Sequence, residues 1–356
     1  MKMGVTKVAV DTGPLTSGDG VRGIGVYTRE LIGALESIQK TGGNKFEIYP
    51  VDFFKLQASA INYYDAVHFT RFNPFFISLP LKKPKNVKFV LTIYDLIPLI
   101  YPKHYPPGVK GWINWQINKF LIKKNVDAVI TISETSKKDI CRFIGIDPKK
   151  VHVIYLAPRA IFRKLETRNS DVVIKKQYGL PDRFALYVGD INYNKNIPLL
   201  VKACEMADVP LVIAGKQASE IEKMDFNHPE LTHLKNINWD KVIKLGFVSD
   251  SDLVKIYNLA TVYVQPSFYE GFGLPVLEAQ ASGVPVICSK TQALSEIAGD
   301  TVLFADPGTS EDFAEKIRLL LKDNELKNNL MQKGLKNAKR YTWEKTALLT
   351  TEVYEQ

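Results

Sequence analysis

The chain has 356 residues, 46% of them hydrophobic and 11% aromatic, too many for one ordinary core and apolar enough for two. Its net charge of +9 lies in the first part: residues 1–158 hold 22 Lys and Arg against 12 Asp and Glu, and the remainder 25 against 26. With no apolar run long enough to span a bilayer, no apolar segment after Met1 and three scattered cysteines (Cys141, Cys204, Cys288), the composition argues against membrane-spanning, secreted disulfide-framework and metal-finger classes; a cytoplasmic address is expected.

Strand-like and helix-like segments alternate along the whole chain, the pattern of parallel sheets with crossover helices. In the first half, strands are expected at Thr6–Asp11, Phe46–Val51, Ala66–Phe69, Val87–Ile93, Ala128–Ile132 and Val151–Ile154. Helices are expected at Ile24–Gln39, Val109–Lys124 and Glu134–Phe143. The pattern then restarts, with strands at Phe184–Val188, Pro210–Ala214, Val242–Leu245, Thr261–Val264, Val284–Ile287 and Val302–Phe304. Helices follow at Ile197–Cys204, Ser251–Leu259, Pro275–Ser282, Glu311–Lys322 and Glu325–Lys339. The fold class is therefore α/β, with two Rossmann-like βαβ domains facing across a cleft. Expected bounds are residues 1–165, 166–340 and a closing helix in 341–356 that starts after Thr342 and crosses back. The polar stretch Arg159–Asp171 reads as the linker. In open parallel sheets, ligands bind where the carboxyl ends of strands meet helix N-termini.

The most informative string follows the strand Thr261–Val264 and runs from Gln265 to Gly283. Gly271 and Gly273 remove side chains just ahead of a helix whose first turn takes Pro275. Backbone N–H groups there can approach an anion or a hydroxyl closely. Glu270 stands in the loop beside them, and Glu278 one turn into the helix. Two carboxylates so placed can grip hydroxyls at two sugars of one extended molecule. A Gly-rich turn with Glu278 on a solvated face is the alternative.

This string resembles the E-x7-E motif of the retaining glycosyltransferases of family 4, which have the GT-B fold. The resemblance extends over Ile24-Gly25-Val26-Tyr27-Thr28-Arg29, Tyr64–Phe69, Asp95–Leu99, Ile130–Glu134, Tyr187-Val188-Gly189 and Lys244–Val248, and is closest to the O-antigen mannosyltransferase branch. It implies that Glu278 holds the donor ribose. Glu270, with Gly271, Phe272, Gly273 and Leu274, would surround the donor sugar at its anomeric carbon. The loop Gly189–Asn196 would hold the diphosphate through Lys195. Family members carry Arg-Lys-Asn where this chain has Asn194-Lys195-Asn196, and an ammonium lacks the guanidinium's fork. Arg22 is a candidate to compensate.

The loop Thr12–Gly25 lacks the G-x-G-x-x-G spacing of a dinucleotide site, so no NAD or other cofactor is expected. It suits a lid, with Gly23 and Gly25 nearest the cleft by the resemblance, or else a plain surface loop. His68, Arg71, Asn73, Tyr94 and Asp95 follow two strand ends and are the acceptor-side candidates, Asp95 with a catalytic role; a satisfied core residue is the alternative for His68, a lone histidine in an aromatic stretch. Relatives have His-Asp-Leu in place of Tyr94-Asp95-Leu96. The basic first half suggests an anionic partner, with a solvated Lys-rich surface as the alternative. Aromatics and lysines from Tyr101 through Trp112, Trp115, Phe120, Lys123 and Lys124 would suit an anionic membrane near a polyprenol-linked acceptor, or else core packing. No nucleic-acid motif is present, and no metal is expected.

The reaction so implied moves a hexose, mannose by the branch resemblance, from a nucleotide diphosphate sugar, with GDP-mannose favoured over UDP-sugars. The acceptor would be a saccharide or a lipid-linked saccharide, attacked on the front face with retention. A nucleotide-sugar 2-epimerase, or a catalytically degenerate sugar-nucleotide-binding or scaffold protein of the same fold, are the competing readings.

Overall fold

The computed structural model describes residues 5–16, 18, 20, 23–41, 45–53, 58–166 and 170–356. The chain divides into two compact units. One comprises Met1–Pro102, Pro106–Leu156 and Tyr341–Gln356; the other comprises Lys103–Tyr105 and Ala157–Arg340.

The first unit contains, in chain order, β1 (Thr6–Asp11), α1 (Gly13–Thr16), α2 (Gly23–Lys40), β2 (Phe46–Val51), β3 (Ala66–Phe69), β4 (Lys88–Thr92), α3 (Ile97–Ile100), α4 (Gly108–Asn125), β5 (Ala128–Thr131), α5 (Glu134–Ile144) and β6 (Val151–Val153). Its six strands pair in parallel in the order β2-β1-β3-β4-β5-β6. β3 and β5 are buried at every position, as expected of strands covered on both faces. Ser133 caps α5 by accepting from Ser136 N at 2.9 Å, and the left-handed Gly145 (φ +72°) ends it.

The second unit contains α6 (Ser170–Tyr178), β7 (Ala185–Val188), α7 (Ile197–Ala207), β8 (Leu211–Ala214), α8 (Lys216–Ser219), β9 (Val242–Gly246), α9 (Asp250–Leu259), β10 (Val262–Gln265), α10 (Leu274–Ala281), β11 (Val286–Ser289), α11 (Gln292–Ala298), β12 (Leu303–Ala305), α12 (Ser310–Lys322) and α13 (Asn324–Ala338). Its sheet is also parallel, in the order β12-β11-β10-β7-β8-β9. The closing helix, α14 (Trp343–Glu355), begins where Thr342 accepts from Lys345 N at 3.2 Å. It belongs to the first unit and packs on α2, with Trp343 edge-on to Tyr27.

Two differences from the sequence expectation matter for the site. The stretch expected to be a linker runs at its end into α6, in which Ile174 is buried while Val172 and Val173 are exposed. Residues 157–166 carry no helix or strand, yet Ala157 and Phe162 are buried and the segment contributes Arg159 to the site described below.

Candidate functional site

In the second sheet β7 and β10 are central neighbours. The chain leaves β7 toward β8 on one side and β10 toward β11 on the other, which opens a crevice at their carboxyl ends. Both loops bordering that crevice are those singled out by sequence. They are fastened to each other: Asn196, in the left-handed region at φ +54°, donates its side-chain amide to Pro266 O (3.1 Å) and Pro307 O (3.0 Å), and Phe268 N donates to Asn194 O at 2.8 Å.

Glu270 is 7% exposed and lies in this junction. Lys195 Nζ reaches both of its carboxylate oxygens, at 2.9 and 2.8 Å. On the opposite side Gln265 Nε2 (2.7 Å) and Ser267 Oγ (2.6 Å) donate to Oε1. Gln265 is held in turn by Tyr263, whose hydroxyl donates to Oε1 of the amide at 2.5 Å. The carboxylate is thus fixed from two sides. Lys195 has three N–H donors, and this pairing uses two. Sequence reasoning placed Glu270 and Lys195 in separate roles; the structure brings them into direct contact. It missed Gln265 and Ser267, although two polar residues directly after the apolar Val262–Val264 are a signal of inward-facing polarity.

Asn194 requires a correction. It is buried, and its amide is used at both ends, donating to Tyr269 O (3.0 Å) and accepting from Tyr105 Oη (2.8 Å). Its side chain therefore ties loops together. Gly189 lies at φ +144°, and a Cβ on its neighbour Gly215 would sit 2.3 Å from Gly189 O, so β7 and β8 close up where side chains would keep them apart.

α10 starts at Gly273, whose φ of +114° turns the chain from loop to helix; a Cβ there would lie 2.6 Å from Leu294. Gly271 and Phe272 are buried and Leu274 is half-buried. The first turn of α10 carries Pro275 and leaves N–H groups without helical partners. One turn in, Glu278 is 6% exposed. Tyr257 Oη donates to its Oε2 at 3.4 Å, and Arg159 Nε lies 3.7 Å from Oε1. Burial lifts its pKa to about 7, against the opposing pull of Arg159. The alternative of a solvated Glu278 is thereby ruled out. Arg159 also pairs with Asp250 at 2.6 Å and lies over the Phe162 ring.

The candidates in the first unit fare differently. His68 is completely buried, with Nδ1 2.7 Å from Tyr354 Oη and Nε2 2.7 Å from Thr92 Oγ1. Burial drives its pKa down to about 3, so it is a neutral residue bonded to α14. The structure thus has the core alternative for His68. Tyr94 is half-buried, packs edge-on against Tyr27 and donates to Thr70 O at 2.7 Å. Asp95, two residues before α3, accepts from Ile97 N at 3.1 Å. Gly23 is exposed and Gly25 buried at the start of α2, while Arg22 lies outside the described residues. Arg71 acts on the buried Asp11, and both line a pocket of about 670 Å³ with Asn73, Phe53, Phe69 and Phe76 at the ends of β1 and β3.

On α4, Trp115 packs in the core at 8% exposure, but Trp112 is 58% exposed, in a stripe with the exposed Val109, Ile113 and Phe120. Core packing therefore accounts for Trp115 alone of those two. No helix among the described residues is long and apolar enough to cross a membrane, and no cluster of metal-binding side chains occurs among them. Asp250-Ser251-Asp252 has the Asp-x-Asp form that the sequence reading counts as absent. Its acids serve α9 instead, Asp250 with Arg159 and Asp252 with Tyr178 and Lys255.

Comparison with known proteins gives the family and the fold. A family described as Glycosyl transferases group 1 matches residues 173–337, and one described as Glycosyltransferase Family 4 matches residues 38–157. The O-antigen chain mannosyltransferase B of Escherichia coli is 28% identical over 272 residues, 75% of this chain and 70% of that protein. The serotype-specific mannosyltransferase WbdA of Escherichia coli is 28% identical over 273 residues, 74% of this chain but 33% of its own length, so this chain spans about a third of that relative. Among solved structures, sucrose-phosphate synthase from Thermosynechococcus elongatus superposes with a TM-score of 0.71 at 20% identity, over 99% of this chain and 98% of that one. Its architecture is GT-B. The chain belongs to the family 4, group 1 glycosyltransferases, and it is an enzyme of that class.

Proposed function

We propose that the chain transfers a hexose, mannose foremost, from a nucleotide diphosphate sugar to a saccharide or lipid-linked saccharide, with retention and without a resident metal or cofactor. The observation that carries this is the convergence of Lys195, Glu270 and the start of α10 on one crevice, with Glu278 a helical turn further on. That spacing matches an extended donor: ribose hydroxyls at Glu278, sugar at Glu270 and the glycine N–H groups, diphosphate at Lys195. The mannosyltransferase relatives favour GDP-mannose as the donor.

In the step proposed, the bond from the anomeric carbon to the diphosphate breaks and its electron pair leaves with the phosphate. The acceptor hydroxyl forms the new bond on the same face, and its proton passes to the departing phosphate oxygen. The protein contributes orientation and fixed charge. Lys195 meets the charge that builds on the leaving group, and Glu270, immobilised by Gln265 and Ser267, faces the oxocarbenium-like carbon. An elimination, as a 2-epimerase needs, would call for an acid–base pair poised to exchange a proton. Glu270 is instead engaged by a cation and two neutral donors.

The exposed apolar stripe of α4, flanked by Lys110, Lys119, Lys123 and Lys124, supports contact with an anionic membrane carrying the acceptor. One assay tests both parts. The protein is incubated with GDP- and UDP-sugars, with acceptors in solution or embedded in anionic vesicles, and nucleotide diphosphate release is followed. Release from GDP-mannose, faster with vesicle-borne acceptor, is expected. Release from UDP-sugars alone would overturn the donor, and no release from any sugar nucleotide the reaction itself.

A further inference from the structure

Glu278 sits in a closed ring of side chains. Arg159 Nε faces its Oε1 at 3.7 Å, and Tyr257 Oη donates to Oε2 at 3.4 Å. Phe162 packs edge-on against Tyr257 with ring centroids 5.4 Å apart, and the Arg159 guanidinium lies over the Phe162 ring at 4.9 Å. Asp250, at the first turn of α9 and 57% exposed at its side chain, draws on the same guanidinium at 2.6 Å. The charged and titratable groups facing Glu278 are therefore Arg159 from the segment before α6, Asp250 and Tyr257 from α9, and Tyr263 from β10.

A carboxylate that must accept two hydroxyl donors has to be ionised, and one buried this deeply is disfavoured in that form unless a cation stands beside it. We propose that Arg159 is the positioning residue that favours the ionised form of Glu278 and aims it at the donor, and that Asp250, by sharing the guanidinium, sets how much of its charge Glu278 receives. This rests on the donor reading above for its purpose, but the ring itself is a property of the unliganded protein. Aromatic packing under Arg159 fixes the guanidinium plane, so lysine, which has no plane to stack, should replace its charge but not its orientation.

The expected signs are opposite for Arg159 and Asp250. A carboxyl raised in the fold loses stability as pH climbs from its unfolded value toward its folded one. Between pH 5 and 8 the thermal unfolding midpoint should fall further for Arg159→Gln than for wild type, and less far for Asp250→Asn. Placing Glu278→Gln beneath either variant should abolish that difference. Donor affinity follows the same order: calorimetric titration with GDP-mannose should show Arg159→Gln binding about tenfold weaker at pH 7, recovering toward wild type at pH 9. Arg159→Lys should lie between, and Asp250→Asn should bind better than wild type at pH 6.

Equal loss at every pH, or identical pH profiles for Arg159→Gln and Asp250→Asn, would overturn the proposal. If wild type binds no sugar nucleotide, the donor reading fails, and the ligand-free unfolding series still decides the role of Arg159.

Discussion

The two sheets share a parallel, doubly wound topology, and each has one point where strand order reverses, yet the two points are built differently. At the ends of β7 and β10, polar side chains are buried in order to present something: Glu270 is held by Lys195, Gln265 and Ser267 in the mouth of the crevice. At the ends of β1 and β3, polar groups are used to close the fold. Thr70 donates to Asp11 O at 2.8 Å, Thr28 to Thr70 at 3.2 Å, and His68 ties β3 to the C-terminal helix. Burial of a polar residue thus has two meanings in one molecule, and the partners distinguish them. A carboxylate paired with a cation in a crevice is poised for a ligand; an imidazole bonded to two hydroxyls in the core is structural.

Breaking the first arrangement should have the larger effect. Lys195→Ala removes the cation assigned to the diphosphate and leaves Glu270 without its counter-charge. Transfer measured as kcat/KM for the donor is expected to fall about a hundredfold or more. A loss of only a few-fold would move the diphosphate contact to another residue.

The second arrangement should answer to acid instead of substrate. With a folded pKa of about 3 against 6.5 in the unfolded chain, His68 binds its proton preferentially in the unfolded state, so stability falls as pH drops below 6.5. His68→Gln, which can keep polar partners but cannot titrate, should lose about 2 kcal/mol less stability than wild type between pH 7 and pH 5. Denaturant unfolding at the two pH values measures it, and transfer activity at pH 7.5 should stay within about twofold of wild type if His68 touches no substrate. Equal acid sensitivity in the two proteins would place the titration elsewhere.

Much of the architecture was legible because parallel strands buried on both faces read as short β-branched runs. β1, β2 and β3 occupy the residues their patterns predict. α6 escaped because its apolar residues are three in a row, Val172-Val173-Ile174, of which only Ile174 is buried, so they make no stripe at helical spacing. Within the site, Glu270 and Glu278 were legible from local spacing, since a strand, glycines and a helix start fix where they stand. Arg159, 119 residues before Glu278, was not, because only the folded chain brings them together. For His68 the aromatic surroundings allowed a core reading beside the acceptor one, but nothing nearby in sequence announces the Tyr354 hydroxyl that claims it.

The central claim is that the junction of β7 and β10 carries the chemistry, and Glu270→Ala tests it most directly. Steady-state transfer from GDP-mannose, with donor and acceptor both titrated, should show kcat reduced by about two to three orders of magnitude while the donor KM changes only a few-fold. A variant that transfers at the wild-type rate would contradict the account.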